Sequence, residues 1–244
     1  LPPVLYDSFA NAHNGYGELA DLRGATEDDA REFFDRYYAP ANAVLCVAGD
    51  LDADEAMGMI ERQFGSIPRR EAPVRPSFAE PALTAPRHGV ARDAHAPAPA
   101  VALGYRVADP VGDLPAQLAR VVLAEVLSDG DAARLQRRLV QRDRSVTDVS
   151  AYLGEFGDPF DERDPTTFII SAYYRDQGAL PGILAAIDEE IAAIARDGTS
   201  EEELSRVQTR LASQFYRRLD PVLARALQFA KFELIHRRPS LPLE

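Results

Sequence analysis

The chain has 244 residues, of which 46% are hydrophobic, 27% charged and 8% aromatic, and its formal net charge is -12. That apolar content can bury a sizeable core, which excludes a disordered or collagen-like chain. An acidic balance gives no bulk attraction to phosphate backbones or anionic lipid, so neither nucleic acid nor a membrane surface is expected as a partner. No apolar run approaches the ~18 residues of a membrane span, and no basic segment followed by an apolar one opens the chain. The single cysteine, Cys46, excludes an intrachain disulfide and a cysteine metal cluster. It fits a reducing compartment, so a cytoplasmic location is expected. With Leu1 first and Met57 the first methionine, the chain reads as part of a longer polypeptide.

The first helix is marked by Thr26 as cap and Asp29 three residues on, a capping-box start with acid at the positive end of the dipole. Ala30, Phe33, Phe34 and Tyr37 then fall on one face, and Pro40 stops the helix. Ala43–Ala48 is a short apolar run rich in valine, which predicts a strand covered on both faces. Asp52 and Glu55 open a second helix whose face carries Ala53, Ala56, Met57, Ile60 and Phe64, with Gly65 as the stop. Five prolines between 68 and 86 then make an aperiodic linker.

Beyond the linker, Gly89–Ala94 and Ala100–Val107 read as strands. A helix is expected over Leu114–Leu127 with Leu114, Leu118, Val121, Val122 and Val126 inward, and another after Ser128–Asp131 carrying Leu135 and Leu139. Val146–Leu153 and Thr167–Tyr174 read as a hairpin joined by an acidic turn from Gly157 to Pro165. Leu180, Ile183, Leu184, Ile187, Ile191 and Ile194 form one helical stripe, ended by Gly198. Ser200 and Glu203 box the start of the next helix, with Leu204, Val207, Leu211 and Phe215 inward. Asp220 and Pro221 are expected as N-cap and first residue of a last helix reaching His236. Strands in pairs alternating with helices in pairs predict an α+β fold: a mostly antiparallel sheet with helices on one face, preceded by part of a second similar unit.

Chemistry is harder to find. No two of His13, His88, His95 and His236 have the spacing that puts two imidazoles on one helix face for zinc. The acidic loop Asp158, Asp161, Glu162 and Asp164 could offer oxygens to a hard cation but lacks an EF-hand's spacing, and a solvated loop is the simpler reading. Asp129-Gly130-Asp131 reads as a turn capping the next helix. The turn after Ala48 has one glycine where a dinucleotide fingerprint needs three. Cys46, mid-run, reads as a buried, inert thiol. There is no G-x-S-x-G elbow. Spacing alone shows no catalytic and no metal-binding residue.

One stretch carries more. FFDRYYAPANAVLCVAGD (Phe33–Asp50) followed by FGSIP (Phe64–Pro68) resembles the pitrilysin/insulinase family of zinc metallopeptidases, which includes the mitochondrial processing peptidase and bacterial relatives. HNGYG (His13–Gly17) stands where that family often has H-P-Y-G. Ser128–Ala133 with Arg134-Leu135, and Val149-Ser150-Ala151-Tyr152, resemble the family's second half, where a small or glycine-rich loop precedes S-R-L and a V-S-A-Y strand follows. The resemblance implies three segments. Residues 1–68 are the end of a metal-bearing half-subunit, 69–86 the linker, and 87–244 a second half-subunit without metal.

The departures matter as much. The family's zinc motif, H-x-x-E-H with a downstream Glu ligand, is not in this sequence. The resemblance therefore implies zinc in a longer parent protein and none held here. Some members carry an Arg and a Tyr seven residues apart that hold substrate and the oxyanion; the matching positions here are Val140 and Thr147, which offer neither a cation nor a phenol. Three readings follow. The chain is part of the chamber wall of a zinc endopeptidase, with a peptide or protein as substrate; or it is a non-catalytic scaffold or partner subunit of that family; or it is an unrelated α+β interaction module. Under the first two, residues 26–67 present apolar faces that need a cover, so a second copy or a paired family subunit is the expected partner.

Overall fold

The structure is a computed structural model and describes residues 1–13, 17–154 and 158–243. The helices α1 (Pro2–Leu5), α2 (Phe9–Ala12), α3 (Leu19–Gly24), α4 (Glu27–Tyr37) and α5 (Ala53–Phe64) precede strand β1 (Ala100–Val107) and helix α6 (Leu114–Ser128). A π-helical segment (Gln136–Arg142) leads to strands β2 (Asp148–Leu153) and β3 (Thr166–Tyr173), and helices α7 (Leu180–Asp197), α8 (Glu201–Leu219) and α9 (Val222–His236) close the chain. The chain divides into two compact units: Leu1–His13 with Phe78–Ser213, and Asn14–Ser77 with Gln214–Glu244.

The first unit holds the sheet. Its order is β1-β3-β2 and both pairings are antiparallel, with Leu103 opposite Ile170 and Ala151 opposite the same residue from the other side. Strand side chains alternate, so Val101, Leu103 and Val107 join Val149, Leu153, Phe168, Ile170 and Ala172 on one face. Leu127 of α6, Leu135 and Leu139 around the π segment, and Ile183 and Ile187 of α7 cover that face and are fully buried. This is the α+β layer that the sequence predicts. On the other face Gly104 lets Leu1 and Leu5 lie against the strand, where a Cβ would collide with Leu5. Tyr6 and Thr167 share a 2.5 Å hydroxyl hydrogen bond, and Arg87 grips Asp7 through two bonds of 2.8 Å. Glu80 accepts from Ser8 and Asn11 side chains and from the Asp7 and Ser8 amides, which holds its carboxyl down at about 2.

In the second unit the helix starts are as expected. Thr26 and Asp29 cap each other's backbone amides at α4, and Asp52 accepts from the Glu55 amide at α5. Arg70 ties the proline-rich segment to the Asp35 carbonyl. Phe33, Phe34, Tyr37 and Tyr38 form an exposed aromatic face, with ring centroids 4.7 Å apart for Phe33–Tyr37 and 4.9 Å for Phe34–Tyr38.

Several expectations need correction. Ala43–Ala48 is extended but unpaired, because among the described residues no strand offers its N–H and C=O groups a partner. Cys46 is accordingly half-buried rather than buried. Gly89–Ala94 forms no strand for the same reason. On α6 the inward face is turned: Leu118 is exposed and Gln117 is buried, its amide donating to the Pro159 carbonyl at 2.6 Å. On α7 and α8, Leu184 and Leu211 are half-buried, and Ile183, Ile187 and Val207 hold the core positions. Pro221, not Asp220, is the N-cap of α9. The acidic turn from Gly157 and the His13–Gly17 motif fall partly outside the described residues.

Candidate functional site

The π-helical segment and the loop before it carry one cluster of polar groups of the first unit. The loop leaves α6 at Ser128, whose hydroxyl accepts from the Ala151 amide at 2.7 Å and so pins the loop to β2. Gly130 follows in the left-handed region (φ 81), and a side chain there would meet the Arg210 guanidinium at 2.6 Å. Arg210 reaches over from α8 to Asp129 at 2.6 Å. Gln136 then bonds the carbonyls of Ser128 and Val149, fixing the start of the π segment.

Beyond the loop, Arg134, Arg137, Arg138, Gln141 and Arg142 line a cleft of about 580 Å³ with Glu190 and Glu203. Arg134 makes a two-pronged pair with Glu203, both bonds 2.8 Å, and the guanidinium holds that carboxyl down at about 2. Glu203 also accepts from the Ser200 amide, completing the capping box of α8. Arg138 bridges Asp143 and Glu189, and Arg142 meets Asp143. Arg137 has no partner among the described residues. Below the loop, burial pushes the Glu125 carboxyl up to about 7, and its neighbour Asp129 adds to the rise.

Of the positions matching the family's Arg/Tyr pair, Val140 lies within this segment and Thr147 beyond it. Val140 is half-buried and packs on the core. Thr147 is exposed just before β2, and its amide and hydroxyl both point to the Tyr173 carbonyl, at 2.7 and 3.2 Å. The arginine stripe is what the sequence reading missed. Its signal was present, since positions 134, 137, 138, 141 and 142 repeat at helical spacing beside the buried Leu135 and Leu139.

Zinc does not fit these residues. His88 and His95 are exposed on the irregular segment before β1, His13 lies tilted against Phe9 and His236 stacks on Phe232. Among the described residues no three His, Cys, Asp or Glu side chains come together as a metal site. The acidic loop is engaged by the protein itself: Asp158 caps the Phe160 amide, and Glu162 lies over Gly154. Among the described residues, no helix is long and apolar enough to cross a membrane.

A layer of helices on an antiparallel sheet, with a small loop running into Arg134-Leu135, is the α+β architecture that the metallopeptidase resemblance leads one to expect. The chain belongs to the Peptidase M16 inactive domain family, whose pattern matches residues 24–211. It is 27% identical over 181 residues to the zinc protease PqqE of Helicobacter pylori and 29% identical over 198 residues to an uncharacterized zinc protease of Mycobacterium leprae. Those alignments cover 73% and 77% of this chain but only 38% and 40% of the relatives. Among solved structures, a protease from Helicobacter pylori superposes with a TM-score of 0.77 at 22% identity, over 92% of this chain and 53% of the other. The periplasmic protease PqqL of Escherichia coli superposes with a TM-score of 0.71 at 20% identity, over 96% of this chain and 26% of the other. The resemblance to zinc metallopeptidases is thereby borne out. The cytoplasmic expectation is not: the fold serves a periplasmic protease, so a single unpaired cysteine does not mark a reducing compartment.

Proposed function

We propose that this chain forms part of the peptide-enclosing wall of a zinc-dependent endopeptidase, whose metal and general base lie on another segment of the parent protein. The match of residues 24–211 to the inactive domain of a peptidase family carries this reading. In this reading residues 1–68 end a metal-bearing half, 69–86 link, and 87–244 form the half without metal. A peptide is the substrate, and the exposed aromatic face of α4 meets a paired subunit or a second copy.

The test is peptide hydrolysis. The parent polypeptide bearing H-x-x-E-H should cleave an unstructured peptide, lose that activity to a chelator, and regain it with zinc. The 244-residue chain alone should cleave nothing. Hydrolysis by the chain alone would overturn the proposal. A second reading, a non-catalytic scaffold subunit, is compatible with Val140 and Thr147 standing where the family's Arg/Tyr pair would be. A parent sequence without H-x-x-E-H would establish it. Family membership leaves the unrelated-module reading without support.

A further inference from the structure

The arginine cleft has more donor capacity than its own carboxylates use. Arg134 engages Glu203 and the Gly198 carbonyl through Nε and Nη2, leaving Nη1. Arg138 engages Asp143 and Glu189 through Nε and Nη2, again leaving Nη1. Arg142 uses only Nε, on Asp143. Arg137 uses none among the described residues. Glu203, Asp143 and Glu189 therefore pair with the stripe and orient it without using all of its N–H donors. Each holds a guanidinium through one edge and leaves N–H groups unbonded on residues that line the cleft, and a planar guanidinium fixed in this way is suited to receive a second carboxylate. The π segment contributes: its i→i+5 bonding, seen where the Asp143 amide reaches the Arg138 carbonyl, widens the turn that carries Arg138 and Arg142. Residues 134–144 hold five arginines and one acid, in a chain whose net charge is -12.

We propose that this cleft binds the carboxylates of an acidic peptide segment. The peptide part rests on the peptidase reading above; the anion part rests on the arginines. The stripe from 134 to 142 is about 12 Å long, the span of about four residues of extended chain, whereas one small anion would fill a fraction of the 580 Å³. Glu190 and Glu203 within the cleft weigh against a dense polyanion such as nucleic acid.

The experiment uses the 244-residue chain and a fluorescent eight-residue polyglutamate, with its polyglutamine counterpart, read by anisotropy at low salt. The glutamate peptide should bind about tenfold or more tighter than the glutamine peptide, and binding should weaken as salt rises. Arg137→Glu should weaken it about tenfold, and Arg142→Gln should weaken it less. Arg69→Glu, on an exposed residue of the other unit, should leave it unchanged. Equal binding of the two peptides, or wild-type binding by Arg137→Glu with a native melting temperature, overturns the proposal. Displacement of the peptide by inorganic phosphate at equal concentration overturns its peptide part, since the site would then read single anions. Nothing is hydrolysed in this assay, so its failure leaves the peptidase reading intact. Failure of the parent protein to cleave peptides leaves the anion site intact.

Discussion

Arg210 donates to Asp129 across 2.6 Å and fastens α8 to the loop that follows α6. Glycine at position 130 suits the pair: its φ of 81 lies in the left-handed region, and a side chain there would push aside the Arg210 guanidinium, 2.6 Å away. Gly130→Ala is expected to cost about 1–2 kcal/mol, measured by urea denaturation, because alanine is strained in the left-handed region and Arg210 must also move.

Glu125, one turn earlier on α6, makes stability depend on pH. The charged groups facing it are Asp129 and Arg210, and its folded-state carboxyl titrates at about 7, above the usual carboxylate range. The folded chain therefore binds a proton that the unfolded chain has already released. The resulting stability is complete below about pH 4.5 and is lost as pH rises through 7. The melting temperature should fall between pH 5 and pH 8, and Glu125→Gln should remove that slope. An unchanged slope in the variant would assign it elsewhere.

Glu203 acts in the opposite direction. Arg134 holds its carboxyl at about 2, so the stability it contributes is present above the ordinary carboxylate range and is lost as pH falls toward 2. Glu203→Gln should flatten the acid limb of a pH–stability curve. It should also loosen the start of α8, because the same carboxylate caps the Ser200 amide; amide exchange over residues 200–204 reads that second effect.

The core predictions separate neighbours on one helix. Ile187→Ala should cost about 2–5 kcal/mol, since Ile187 is fully buried between α7 and the sheet. Leu184→Ala, half-buried on the same helix, should cost about 1–2 kcal/mol. Equal effects would mean that the stripe is turned as periodicity alone suggests.

Those neighbours show what the sequence could and could not convey. The caps at Thr26 and Ser200 were legible because each is closed within three residues. The antiparallel hairpin of β2 and β3 was legible from alternation. Gln117 was not, because its acceptor, the Pro159 carbonyl, lies 42 residues away, and no hydropathy stripe points to it. The strand expected at Ala43–Ala48 failed for a similar reason: a strand needs a neighbour, and an apolar run records only the readiness to pair. The metallopeptidase kinship was legible in a literal motif, whereas the arginine cleft was legible only in spacing, which a buried leucine pair explained equally well.

Association is the next expectation. The aromatic face of α4 is exposed, with Phe33 and Phe34 each more than half accessible at 57% and 54%. Sedimentation at rising concentration should show self-association that the double variant Phe33→Asp, Phe34→Asp abolishes. A strict monomer at high concentration would mean that residues 26–67 need no cover.

Metal content tests the central proposal, that the zinc of the parent protein is held outside these 244 residues. The purified 244-residue chain is dialysed against zinc, then against buffer, and its zinc is measured by elemental analysis. The account predicts far less than one zinc per chain. One tightly held zinc per chain, with nitrogen or oxygen ligands at about 2.0–2.2 Å by X-ray absorption, would contradict it.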